Sequence, residues 1–488
     1  MTPLPRFAWR GVSIVCAVVV AALAVTINQY GYHRDELYFR MLGAHPAWSY
    51  VDEPPMTPML VRASTTVFGD SLWALRLPAI LCAVATIVIV AYLGRELGGR
   101  TFAQVIAAIG VSVSFLLVSG HLMLTASPDM VVWTLAILFA LRAIVREQER
   151  WWIYLGVTVG IGLYNKQLVL LLLIGLGIGL LISGPRQVFR SRALWLGLLL
   201  AVVIALPTII YQLTNDFPEL KMSHAIAVDK GPSDRITFIP FQFLIVIALW
   251  VPGFIGMFTV PAWRRIRAFG WAYAIVAIIV LLTGGQIYYA FGLLAFFMAA
   301  AACRFEGLGE NRRTRPRVWL VVVLAISAVI WPLIALPIVP AASLHKTTIG
   351  ATNQSVGDQI GWPTYVREIA DAYDTLPPAD RAHTTIVTGN YGEAGAIARF
   401  GGPYGLPSAY SGQNQLYYYG PPLAADNVVI FVGFDASDLT GRFENCGQRG
   451  TLDNRLDVDN EEQGNSIIIC HGLTSSWAQT WPELQHYD

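Results

Sequence analysis

The chain has 488 residues, of which 55% are hydrophobic and only 13% are charged. Soluble domains carry about a quarter charged residues, so this composition excludes an ordinary globular protein and points to a polytopic membrane protein. A net charge of +1 gives no bulk attraction for nucleic acid, and no nucleic-acid partner is expected.

The first apolar run, 11–29, has no small-residue cleavage site before the polar residues that follow. It reads as a retained span rather than a signal peptide. A bilayer core takes about 20 apolar residues to cross as a helix. Eleven spans are expected: 11–29, 71–94, 101–120, 128–145, 151–164, 166–184, 193–213, 237–261, 269–283, 285–303 and 317–340. The fifth is short, and Trp151 and Trp152 fit the interface there.

Between the first two spans lies the densest polar stretch of the chain, Tyr30 to Pro58. Asp35-Glu36 follows the end of the first span. Asp52-Glu53 precedes Pro54-Pro55, which fixes two φ angles and pushes the preceding residue out of the helical region. Acidic pairs on stiff backbone at a membrane face form a plausible catalytic constellation, because a carboxylate there can act as general base on a hydroxyl. The plainer reading is a solvated loop in which Asp35 caps a short helix. A short surface helix is expected after Pro58, with Met59, Leu60, Val67 and Phe68 on its apolar side.

Further along, Arg76 opens the second span, as an interfacial anchor or as a partner for phosphate. Asp129, after Ser127-Pro128, opens the fourth. It suits the positive end of the helix dipole, and it also brings a carboxylate to the same face as Asp35. Lys166 is the lone lysine before Lys221. It either snorkels to the headgroups or binds a phosphate as a point charge, and the polar groups expected around it favour the phosphate. The loop 214–236 carries His224, and Gln286 and Tyr288 sit near the start of the tenth span, as possible substrate contacts or belt residues. No zinc signature and no Walker-type glycine loop is present.

Basic residues set the expected orientation. One set of loops, from Arg6 through Arg312 and Arg313 to Arg317, carries 18 of the 33 lysines and arginines; the opposite loops carry eight and the tail seven. The positive-inside rule places the first set in the cytoplasm, so the N-terminus is inside and, after eleven spans, the tail outside. Polar residues crowd the outer loops, so any chemistry is expected there.

From about Ala341 the composition turns polar. Residues 1–340 read as a transmembrane domain and 341–488 as a soluble extracytoplasmic domain. Asp358–Leu376 and the segment ending at Phe400 read as helices, and Thr384–Thr388, Val428–Gly433 and Ser466–Cys470 as strands, giving an α/β layer structure. Cys16, Cys82 and Cys303 fall in apolar runs. Cys446 and Cys470 lie in the tail, and two cysteines facing an oxidising compartment point to a disulfide.

Taken together, Asp35-Glu36, Asp52-Glu53-Pro54-Pro55-Met56, Arg76-Leu77-Pro78, Pro128-Asp129 and Asn165-Lys166 resemble the GT-C membrane glycosyltransferases of the protein mannosyltransferase type (glycosyltransferase family 39), to which the aminoarabinose lipid A transferase is related. The resemblance covers 1–340. In the tail, Gly389-Asn390-Tyr391-Gly392-Glu393-Ala394 and Val458-Asp459-Asn460-Glu461-Glu462-Gln463-Gly464 are similar to uncharacterised actinobacterial-type members. The resemblance implies a GT-C fold of about 11 transmembrane helices and inverting sugar transfer from a polyprenyl-phosphate donor to an envelope glycan, lipid or protein. It implies Asp35 as the catalytic carboxylate, Asp52 as the second acidic position, and Lys166 and Arg76 at the donor phosphate; Asp129, by its place at the same face, joins them as a catalytic candidate. Glu36, Glu53, His224, Gln286 and Tyr288 are then the substrate contacts. The residue before Pro-Pro is often lysine or histidine in such proteins, and Glu53 departs from that, leaving it for the sugar or a divalent metal. Two other classes fit the composition: a transporter, which would hold ionisable groups near the midplane, and a non-catalytic envelope glycan-binding protein.

Overall fold

A computed structural model describes residues 4–310 and 315–487. Arg312 and Arg313, counted in the charge bias, lie outside the described residues. The chain divides into two compact units, both discontinuous in sequence. One comprises Met1–Thr26, Glu53–Thr57 and Arg76–Leu336; the other comprises Ile27–Asp52, Pro58–Leu75 and Pro337–Asp488.

The first unit is helical. Among the described residues, five helices are long and apolar enough to cross a membrane: Trp9–Thr26, Leu72–Glu96, Ala126–Arg146, Pro261–Thr283 and Val318–Ala335. Two further crossings arise if each of two bent pairs counts as one. The pair Arg192–Ile204 and Leu206–Thr214 bends by 58°. Pro207 sits in the first turn of the second helix, where it has no N–H to continue the ladder from the first. The pair Gly231–Leu244 and Ala248–Thr259 bends by 94°, at Val246, whose φ is +25°. The expected straight spans 193–213 and 237–261 are therefore broken.

The remaining expected spans are helical over shorter or displaced stretches. Thr101–Ser112 stops at Val113 and resumes as Leu116–His121. Its 12 residues reach only about 18 Å, against a hydrocarbon core of about 30 Å. Small residues let these helices close up. A Cβ at Gly156 would stand 1.9 Å from the carbonyl oxygen of Gly197, so the helices Arg150–Gly162 and Arg192–Ile204 meet backbone to backbone.

The second unit is built on a five-stranded mixed sheet of order β2-β1-β3-β5-β4. The strands are β1 Thr384–Thr388, β2 Ala409–Ser411, β3 Val428–Val432, β4 Phe443–Thr451 and β5 Ser466–Leu473. β1 runs parallel to β2 and β3, while β3–β5 and β5–β4 are antiparallel. β1 and β3 are buried along their whole length, as continuous β-branched runs require in a covered parallel pair. One face packs Val387, Val429, Phe431, Ile468, Trp477 and Trp481 into a core. Cys446 and Cys470 are directly opposed across β4 and β5 and form a disulfide.

The expected helix Asp358–Leu376 is narrower, Trp362–Asp374, because Gly361 at φ +104° turns the chain just before it. The segment after the first span holds two helices rather than one, Arg34–Ala44 and Met56–Phe68. The cap of the first is His33, not Asp35. The Asp35 N–H donates to His33 Nδ1 at 3.2 Å, and the His33 N–H donates to the Glu36 carboxylate at 2.9 Å.

Candidate active site

Within the sheet-containing unit, Asp35 and Asp52 are each held by a tyrosine hydroxyl. The Tyr391 hydroxyl donates to Asp35 Oδ1 at 2.9 Å, and the Tyr38 hydroxyl donates to Asp52 Oδ1 at 3.0 Å. The two rings stack, with centroids 4.5 Å apart and planes 25° from parallel. Local sequence explains the placement. Asp35 and Tyr38 are three residues apart on the Arg34–Ala44 helix, so they share a face. Tyr391 is the first residue of the helix Tyr391–Phe400, which follows β1 through a short turn capped by Asn390. Asp52 lies in a bend just before the proline pair.

Burial pushes the Asp52 carboxyl up to about 7; the Tyr38 hydrogen bond pulls against that rise, and the negative charge of Asp35 adds to it. Both side chains are half-buried, that of Asp35 being 32% exposed. The site thus holds two half-buried acids side by side, one of them pushed up toward neutral pH.

The helical unit holds a second cluster. Lys166 is half-buried, 3.4 Å from the Tyr288 hydroxyl and 3.5 Å from Thr125 Oγ1, to each of which its ammonium donates. The ammonium also lies 5.4 Å from the centre of the Tyr288 ring and 5.0 Å from that of Tyr289. Asp129 is buried in the first turn of Ala126–Arg146 and is an electrostatic partner of Lys166. Its Oδ1 has no hydrogen-bond partner among the described residues. Asn165 fixes the backbone before Lys166: its Oδ1 accepts from the Thr57 hydroxyl and its Nδ2 donates to the Thr125 carbonyl, both at 2.8 Å. The Met56 N–H donates to the Tyr164 carbonyl at 2.8 Å, so the segment after the prolines is tied to the Lys166 loop.

Arg76 is fully buried, its Nη1 3.2 Å from His121 Nε2. Glu36 is fully buried and engaged in the helix cap. Glu53 is buried, Gln286 is half-buried, and His224 is exposed on the helix Pro218–Asp229. Among the described residues, no three His, Cys, Asp or Glu side chains are grouped to hold a metal ion.

Sequence reading missed Tyr391 and the other tail residues that meet the first loop. The Arg34 guanidinium is paired with Glu461. Gln415 accepts from the Val51 N–H at 3.1 Å and donates its own backbone N–H to the Tyr38 hydroxyl at 3.2 Å. The signal was present in two tail segments, 389–394 and 458–464, which contain Tyr391, Glu461 and Glu462.

A family model described as dolichyl-phosphate-mannose-protein mannosyltransferase matches residues 52–211. Comparison with curated protein sequences gives no match. The structure is similar to that of ArnT from Cupriavidus metallidurans, in a crystal structure bound to undecaprenyl phosphate. There the TM-score is 0.59 and the identity 14%, over 94% of this chain and 97% of that one. The apo state of the same protein gives a TM-score of 0.60 at 13% identity over the same shares. The chain has the GT-C fold. An arabinofuranosyltransferase of mycobacteria, AftD, is similar over 97% of this chain at TM-score 0.53 and 14% identity, where this chain spans 40% of AftD. Within this GT-C chain the family-model match takes in Asp52, Glu53, Arg76, Asp129 and Lys166. It leaves out Asp35 and the tail that carries Tyr391.

Proposed function

We propose that this chain is a multi-pass membrane glycosyltransferase. It moves one sugar from a polyprenyl-phosphate carrier to a hydroxyl of an envelope glycan, lipid or protein, with inversion at the anomeric carbon. The observation that carries this reading is the GT-C fold, shared over nearly the whole chain with a protein whose structure holds undecaprenyl phosphate. A mannose-type donor is part of the proposal, supported by the match over residues 52–211. The domain reading, with 1–340 catalytic in the membrane and 341–488 outside it, is also part of it. The arginine bias and the Cys446–Cys470 disulfide support a cytoplasmic N-terminus and an extracytoplasmic tail.

In the reaction, the acceptor oxygen forms a bond to the anomeric carbon as the bond from that carbon to the phosphate oxygen breaks. The acceptor proton passes to Asp35, and the polyprenyl phosphate leaves as the free monoester. Lys166 supplies positive charge for that phosphate, and its tyrosine and threonine partners keep the ammonium oriented. Asp52, protonated in part at neutral pH, donates a hydrogen bond to the sugar. Asp129 balances the Lys166 charge when no phosphate is bound. The test is mass identification of lipid bound to the purified protein, followed by release of free polyprenyl phosphate in proteoliposomes. A protein that binds no polyprenyl phosphate and releases none would end this reading.

A further inference from the structure

The stacked tyrosines raise a question the acids alone do not. A base needs one carboxylate oxygen free for the incoming proton and the other held still. Tyr391 satisfies that condition for Asp35: it donates to Oδ1, and Oδ2 lies 3.9 Å from His33 Nδ1, beyond hydrogen-bond range.

Tyr391 is itself fixed from four directions. Its backbone N–H donates to Gln413 Oε1 at 2.6 Å. Its ring stacks on Tyr38. The Arg34 guanidinium lies 4.9 Å from the ring centre, and Arg34 is paired in turn with Glu461. The helix it begins is closed by the Asn390–Glu393 capping box, with the Glu393 N–H donating to Asn390 Oδ1 at 2.9 Å. Two glycines then let that helix lie directly on the Arg34–Ala44 helix. A Cβ at Gly395 would meet Leu37 Cβ at 2.7 Å, and one at Gly392 would meet Arg34 Cβ at 3.1 Å. A tyrosine needed only for packing would not require its hydroxyl aimed at a partly exposed carboxylate.

We propose that Tyr391, contributed by the C-terminal part of the chain, is a positioning residue for the base Asp35, and that its stack with Tyr38 couples the settings of Asp35 and Asp52. The sheet-containing unit is then a working part of the catalytic centre, not an appended binding module. This rests on the glycosyltransferase reading above, and the experiment separates the two.

The full-length protein in lipid nanodiscs is first compared by infrared spectroscopy without substrate. The wild type and Tyr391→Phe differ by one hydroxyl, so an ionised-carboxylate band shifts between them. The same comparison in an Asp35→Asn background shows no such shift. Turnover is then measured in proteoliposomes charged with the polyprenyl-phosphate-sugar extract of the expression membranes, as release of free polyprenyl phosphate. Tyr391→Phe lowers kcat about ten- to a hundredfold, the scale of a misplaced reacting group, with KM for the lipid unchanged. Tyr391→Leu, which also loses the stack, changes the pH profile of the remaining activity.

A carboxylate shift that persists with Asp35→Asn overturns the contact. Normal turnover by Tyr391→Phe, where Asp35→Asn has lost activity, overturns the positioning role and leaves the glycosyltransferase reading standing. Normal turnover by both variants removes Asp35 as the base, and this proposal falls with it.

Discussion

Asp35 and Asp52 are neighbours in two ways: their tyrosine partners stack on each other, and their charges repel. The proposed reaction gives them separate work, Asp35 as base and Asp52 as hydrogen-bond donor. A positioned base contributes roughly 10²–10⁴-fold. Asp35→Asn keeps size and most hydrogen bonding, so kcat should fall by that order while the thermal melt and lipid binding hold. Asp52→Asn should cost less at neutral pH. It should also remove a limb of the pH–rate profile near 7, the value to which burial raises that carboxyl. Activity of the wild type should decline as pH rises through that limb, because the donating, protonated form of Asp52 is lost. A profile unchanged in Asp52→Asn would show that Asp52 takes no part. Lys166 makes a different demand. Its ammonium faces two tyrosine rings and two hydroxyls, all of which a phosphate can outbid. Lys166→Ala should raise KM for the lipid donor with kcat little changed, and Lys166→Arg should recover part of the loss. Normal kinetics for Lys166→Ala would reduce the lysine to an anchor.

At the scale of elements, the Tyr391–Phe400 and Arg34–Ala44 helices depend on missing side chains where they touch. Gly395→Val would drive methyl groups into Leu37 and should destabilise the sheet-containing unit by about 1–3 kcal/mol. Limited proteolysis of the tail reads that loss; a tail as resistant as the wild type would contradict it. The β4–β5 hairpin is closed by a disulfide between residues 24 apart. By loop entropy the bridge contributes about 3 kcal/mol. Cys446→Ser should lower the melting temperature of the tail more than it lowers turnover.

Elements were legible in the sequence where a pattern is local. The hydrophobic runs disclosed the helices, and Thr384–Thr388 was plain as a β-branched run. β4 was not, because Phe443–Thr451 is an exposed, polar edge strand whose identity comes from pairing with β5. Asp35 and Lys166 stood out as charges next to apolar runs, and Asp52 as an acid ahead of the Pro54-Pro55 pair. Tyr391 was visible only as part of the tail segment 389–394, and nothing in that segment marks a partner 356 residues away. The bends at Pro207 and Val246 were missed for the opposite reason: hydropathy averages across a break.

For the molecule as a whole, buried acids in the sheet-containing unit tie stability to pH. Burial pushes Glu462 up to about 8, against the pull of Arg34 and with the push of Glu393 and Asp358. The folded chain therefore holds this proton, and that of Asp52, more tightly than the unfolded chain, whose carboxyls titrate near 4. Their contribution is greatest below about 4 and is lost as pH rises through about 7 and 8. The drop in melting temperature between pH 5 and pH 8.5 should be smaller in Glu462→Gln than in the wild type. An equal drop in both would show that Glu462 is not the group responsible.

The sheet-containing unit gathers Ile27–Asp52 and Pro58–Leu75 with Pro337–Asp488, and that sets an order of events during synthesis. At about 5–20 residues per second, the ribosome takes roughly a quarter of a minute to a minute to travel from Asp52 to Pro337. For that interval the segment bearing Asp35 has left the ribosome and lacks the half of its fold that supplies Tyr391. A nascent chain stalled before Pro337 carries the acid but not the hydroxyl that sets it. On the proposed reading, the setting of Asp35 is complete only once residues 337–488 have joined the segment 27–52. Supplying residues 337–488 as a separate polypeptide to a chain ending at Leu336 should restore turnover in step with its binding.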